Sequence, residues 1–197
     1  MTTQSYVWLR AGLAWAALTL GILAQTQAPA AAANWRIDPA RTHIAFAIDA
    51  VGYPRTHGQF RQFAGRISVD FEHPDKSRVS FHVESESVDV GSASFDDYLR
   101  SDAFLNSTRF PSIDFVSNSV AKVDDHTVRV IGELTLLGVT RPLSVDVAVA
   151  REGSGGAQRL AFLAKTSIDR LAFGMNSGFP LVSRDVELVI SSAAVEL

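Results

Sequence analysis

After residue 43, apolar side chains recur at every second position along most of the chain. Ile44, Phe46 and Ile48 alternate with Ala45, Ala47 and Asp49, and Val79, Phe81 and Val83 alternate with Ser80, His82 and Glu84. Ile113 and Phe115 flank Asp114, while Val128, Val130, Leu134 and Leu136 share one parity against Arg129, Glu133 and Thr135. Leu143, Val145, Val147 and Val149 repeat the pattern, as do Leu160, Phe162 and Ile168, then Val186, Leu188 and Ile190. A period of two is that of a strand with one apolar and one polar face. It predicts antiparallel strands wetted on one side rather than buried parallel ones. Residues 58–71 read as a further long or bent strand, interrupted at Gly65.

Residues 72–76, 123–126 and 152–156 are turn-rich breaks between these strands, the last a hairpin tip. About eight strands with one continuous apolar face must close on themselves or stack in two layers. Closure removes exposed edges, so the predicted fold is an all-β antiparallel barrel. Residues 94–100 break the rhythm. Phe95, Tyr98 and Leu99 fall at helical spacing, with Ser94 as the expected cap and Asp97 in place of the usual Glu of a capping box. This predicts one short helix across an end of the barrel.

The first 33 residues are read separately. Arg10 precedes an uncharged apolar run from Ala11 to Ala24, and alanine-rich sequence leads to Asn34. The run is short for a membrane span of about 20 residues, and its flanks are those of a secretory signal peptide. Cleavage is expected after Ala33, because a cut after Ala28 would place Pro29 next. Residues 34–197 then form a single exported domain, most simply periplasmic. The chain has no cysteine and a net charge of −3, with basic and acidic residues interspersed. This excludes disulfides and thiolate sites and argues against nucleic acid as a partner.

The chemistry-bearing residues are sparse. No two of the five histidines stand at metal-ligating helical spacing, although His43 and His57 could meet across paired strands. Asp96, Asp97 and Asp102 are better explained by a helix N-terminus than by paired-carboxylate catalysis. No GxSxG motif is present. No catalytic residue, metal or cofactor is expected. The apolar face itself remains. An eight-stranded interior is either filled by its own side chains or just wide enough for one small ligand, and periodicity alone leaves both readings open.

Four ordered segments carry a resemblance. Gly58-Gln59-Phe60 with Phe63 and Gly65, the run Leu99-Arg100-Ser101-Asp102-Ala103-Phe104-Leu105-Asn106 followed by Phe110-Pro111, Gly132-Glu133-Leu134-Thr135 with Gly138-Val139-Thr140-Arg141-Pro142, and Phe173-Gly174-Met175 with residues 183–190 resemble the motifs of the YceI-like family. The match runs from about Trp35 to Glu196. Near residues 51–57 the sequence departs from the family's commoner His-Leu-Gly-like run. The resemblance implies a lipocalin-like barrel, usually periplasmic or secreted, with an elongated apolar cavity and a link to polyisoprenoids or other long-chain amphiphiles. The expected lipid lining is Phe46, Phe60, Phe63, Phe81, Phe115, Leu134, Leu136, Val147, Phe162, Ile168 and Leu188. An anionic headgroup would be read by Arg55, His57, Arg141 and Arg184. The expected role is a lipid-binding or carrier protein, with room for transient membrane contact and for a homodimer. A barrel enzyme acting on a lipophilic substrate, or a filled barrel serving stress-related interactions, are the competing readings.

Overall fold

A computed structural model describes residues 33–70, 72–152 and 159–196. The expected leader lies outside these residues except for Ala33, and so does the glycine-rich hairpin tip after Glu152.

The described residues form eleven strand segments in one antiparallel sheet. They are β1 (Ala33–Ile37), β2 (His43–Ala50), β3 (Tyr53–Phe60), β4 (Phe63–Val69), β5 (Arg78–Glu84), β6 (Val88–Asp89), β7 (Ser112–Lys122), β8 (Thr127–Leu136), β9 (Val139–Glu152), β10 (Arg159–Asp169) and β11 (Asp185–Glu196). The first six are three long strands, each broken once. β1 and β2 both run antiparallel to β11, β1 along its C-terminal part and β2 along its N-terminal part. β3 and β4 pair with β2 and β1 respectively. β5 and β6 pair with β4 and β3. The result is an up-and-down barrel of eight long strands, closed where β1 meets β11.

The breaks lie at one level, and the second and third bond to each other. Pro39–Arg41 forms a 3-10 turn between β1 and β2, with Asp38 Oδ1 accepting from Ala40 N at 3.0 Å. The second break is Arg61-Gln62, four residues before the expected interruption at Gly65, which lies inside β4. Arg61 N donates to Ser87 O at 3.1 Å and Glu84 N to Gln62 O at 3.0 Å, joining the second break to the third. The third, Ser85–Ser87, is fixed by Ser85 Oγ donating to Phe110 O at 2.7 Å.

Two ends follow from the connections. One carries the β2–β3 turn at Val51-Gly52, the β8–β9 turn at Leu137-Gly138, the helix α1 (Ala93–Arg100) and the segment joining β10 to β11. The opposite end carries the β4–β5 and β7–β8 connections. At the helix end Val88, Phe104, Leu105, Leu134, Leu136, Phe173 and Met175 pack as one buried cluster. Trp35, Ile37, Ile67, Leu160 and Ala194 form another deeper along the barrel. α1 begins earlier than expected, with Ser92 rather than Ser94 in the capping position and no side-chain cap bond. β9 and β10 pair only as far as Val147 and Ala164; beyond that point towards the helix end the two strands part.

Candidate functional site

Inward residues of a strand share a parity, so a closed sheet gathers every apolar face of the sequence pattern into one space. That space is hollow. A cavity of about 1280 Å³ runs through the barrel. Its middle is lined by Phe46, Phe81, Phe115, Val147, Phe162 and Leu188 among other apolar side chains. Of the residues expected to line it, Phe60, Leu134, Leu136 and Ile168 also reach the cavity, whereas Phe63 does not. Phe63 opens β4 directly after a break and packs on the Trp35 and Ile37 cluster instead. Phe46 and Phe60 meet with ring centroids 5.7 Å apart.

The charged lining residues lie towards the ends, and Thr166 and Ser192 are the polar side chains at the level of Leu188 and Phe162. Exposed Lys122, Asp124, Asp125, His126 and Arg151 line the cavity at the end opposite the helix. Lys122 Nζ and Asp125 Oδ1 are 2.6 Å apart, but the side chains are 58% and 86% exposed, so this is an ion pair on a turn tip. At the helix end the lining is Ala50, Tyr53, Pro54, Phe95 and Tyr98, joined by Gly178 and Val182.

None of the four expected headgroup residues lines the cavity. Arg55 faces away from it on β3 and bonds Glu187 at 2.5 Å and Asp49 at 3.4 Å. The Glu187 carboxylate raises the Arg55 guanidinium pKa, and Arg55 in turn lowers that of Glu187. His57 has the same outward parity. It pairs with Ala47, four residues from His43 along β2, a separation of roughly 13 Å. The two imidazoles therefore do not meet, and among the described residues no group of three or more potential ligands could hold a metal. Arg141 stands at the start of β9 and donates to Ala172 O at 3.1 Å. Arg184 bonds Asp169 at 2.7 Å, which lowers the Asp169 pKa.

The acidic cluster near α1 is structural. Asp96 is buried and accepts from Val90 N at 2.7 Å. Asp97 pairs with Arg100 at 3.0 Å. On the outer wall, His82 Nδ1 lies 2.6 Å from Asp114 Oδ1, and Ser112 Oγ donates to Asp114 Oδ2 at 2.6 Å.

One buried cation was not anticipated. Arg170 is 0% exposed, lines the cavity and donates only to carbonyls. Nε reaches Ser183 O at 2.7 Å, Nη1 reaches Met175 O and Ser177 O at 2.5 and 2.8 Å, and Nη2 reaches Val182 O at 3.0 Å. Burial pushes its guanidinium below the usual arginine value. Strand parity carried on from Ile168 puts residue 170 on the inner side, and that was its only sequence signal.

Fold and cavity together define a lipocalin-like antiparallel β-barrel with a large, mainly apolar interior. The YceI-like domain profile matches residues 35–194. The chain belongs to the YceI-like family. Protein YceI of Salmonella arizonae is 34% identical over 182 residues, covering 90% of this chain and 95% of that protein. Among solved structures, BcnA of Burkholderia cenocepacia aligns with a TM-score of 0.73 at 22% identity, covering 80% of this chain and 98% of BcnA. A polyisoprenoid-binding domain from Saccharophagus degradans implicated in plant cell wall breakdown aligns with a TM-score of 0.66 at 14% identity, covering 84% of this chain and 99% of that domain. These structural likenesses establish the shared barrel.

Proposed function

We propose that the protein is a periplasmic binding or carrier protein that holds a long-chain isoprenoid, or an amphiphile of similar tail, inside the barrel. The observation that carries this reading is the hollow interior: about 1280 Å³, predominantly apolar along its middle, with charged groups only towards the ends. Ordinary small-molecule pockets occupy about 300–1,000 Å³ and place several polar groups around the ligand to orient it. A chain-like hydrocarbon needs length and apolar walls instead. Each buried CH₂ contributes ~0.8 kcal/mol, so a five-carbon unit gives roughly 3–4 kcal/mol before ordering costs. Three or four such units could reach the ~8 kcal/mol of micromolar binding after association costs are subtracted. The tail alone then supplies the affinity. The name borne by the Saccharophagus domain supports the same ligand class, and the predicted leader supports export.

Native mass spectrometry of the purified protein offered a long-chain isoprenoid alcohol is the test. Uptake of about one mole per mole is expected. No bound lipid on isolation, together with no uptake when lipid is offered, would overturn the reading. Phe81→Trp or Phe115→Trp places a larger ring in the middle of the cavity and should lower uptake several-fold with the fold intact by circular dichroism.

A further inference from the structure

The large apolar side chains exposed on this protein are unevenly placed. Val116, Ile131, Leu163 and Val189 are scattered over the outer barrel wall, each on a different strand, and Val123 stands among charges on the β7–β8 turn. Six others gather at the helix end: Val51, Tyr53, Phe95, Tyr98, Phe179 and Leu181. Scattered single residues are ordinary on soluble proteins, whereas a cluster marks a contact surface.

These six come from three segments and are held ready. Val51 N donates to Leu181 O at 2.8 Å and Ser183 N to Asp49 O at 2.8 Å, so the β2–β3 turn and the 178–182 loop stand side by side. At their tips Tyr53, Val51 and Leu181 are 77%, 69% and 63% exposed.

Two features identify the partner. The first is continuity. Tyr53, Phe95 and Tyr98 belong both to the exposed array and to the cavity lining. A surface that is apolar and runs unbroken into a hydrocarbon-accepting tunnel matches the medium in which hydrocarbon chains reside. The second is charge. Arg55 is engaged by Asp49 and Glu187, and Arg184 by Asp169. The cations beside the β2–β3 turn and the 178–182 loop are thus paired with carboxylates, so contact there relies on insertion of side chains rather than on anionic headgroups. Tyrosines at the edge of such an array suit the boundary between water and lipid.

We infer that the helix end docks on a lipid bilayer, inserting Val51, Phe179 and Leu181, so that the mouth between α1 and the β2–β3 turn opens onto the acyl phase. The inference rests on the carrier reading and adds the donor or acceptor surface to it. The opposite end, ringed by Lys122, Asp124, Asp125, His126 and Arg151, stays in water.

The chain has no cysteine, so a single introduced one takes a polarity-sensitive fluorophore at a known place. Protein produced from the full chain is labelled at Val51→Cys or, separately, at Val123→Cys, and titrated with phosphatidylcholine vesicles with and without phosphatidylglycerol. The position-51 probe should shift to the blue and brighten with both vesicle types. The position-123 probe should not respond. Val51→Asp with Leu181→Asp should weaken vesicle binding roughly tenfold or more, while leaving uptake of a detergent-dispersed isoprenoid alcohol unchanged, since neither residue lines the cavity. Uptake without any vesicle response at position 51 overturns docking and leaves the carrier reading standing. Vesicle response without uptake does the reverse. A position-51 probe already shielded before lipid is added, with a mass that rises with concentration, assigns the surface to a second copy and also overturns docking. Binding that requires phosphatidylglycerol overturns the insertion mechanism.

Discussion

At the scale of single residues, the inward-facing glycines show how the cavity is shaped. Gly58, Gly65 and Gly132 each occupy a wall position where larger neighbours use the missing side-chain space. A Cβ on Gly58 would strike the Phe46 ring, one on Gly65 would strike Ile37, and one on Gly132 would strike the Val116 carbonyl oxygen, with the Phe115 ring at 2.7 Å. The consequences differ because a ring can turn and a backbone cannot. Gly132→Ala should lower the unfolding free energy by about 1–3 kcal/mol in urea titrations. Gly58→Ala should cost less stability and more uptake, because the Phe46 ring moves into ligand space. His82 offers a second test. Its hydrogen bond to Asp114 raises its pKa despite opposing desolvation, and Glu84 adds a smaller contribution. A raised folded-state value means that the stabilisation is present in full below the ordinary imidazole pKa and fades as pH rises through the higher folded value. Melting temperature should therefore fall slightly from mildly acidic to mildly basic pH, and His82→Gln should flatten that slope. The pair is half exposed, so the effect belongs below ~1 kcal/mol.

At the scale of elements, the two-residue period revealed the strands well and their breaks poorly. Phe46, Phe81, Phe115 and Phe162 point inward as their parity demands, and Phe95, Tyr98 and Leu99 share the cavity-facing side of α1. Parity also carried information that the headgroup expectation ignored: counted back from Phe60, both Arg55 and His57 belong to the outer face. Of the breaks in the three long strands, the first carries Asp38-Pro39 but the other two have no comparable signature. Arg61-Gln62 contains neither glycine nor proline, and its bend is fixed by bonds to Ser87 and Glu84, more than twenty positions away. β1 was missed because Trp35 and Ile37 offer only two alternations before Pro39. The segment between β10 and β11 depends on Arg170, whose four carbonyl partners lie along residues 175–183. Arg170→Met leaves those acceptors unpaired in a buried site and should destabilise the protein by about 3 kcal/mol or more in thermal and urea unfolding. Arg170→Lys should not restore it, because an ammonium lacks the planar fork that reaches all four.

At the scale of the whole molecule, the question that the sequence left open was whether the interior is filled. Alternation counts how many apolar side chains face inward but not how far apart the facing walls stand. Barrel girth is a property of all eight long strands together, so no local pattern encodes it. The family motifs carried that information indirectly. The contrast between the ends was hidden for a related reason, because Val51, Phe95 and Leu181 are far apart in the chain and become neighbours only when the barrel closes. The parting of β9 from β10 above Val147 and Ala164 belongs to this scale as well. Along that stretch the wall is an unlaced seam. Widening it there breaks no rung of the backbone ladder, and β3 is likewise unpaired over residues 53–58 on the side away from β2, so the helix half of the barrel has slack in its girth while the opposite half is laced all round. A vessel built this way can change its bore at one end without loosening the frame at the other.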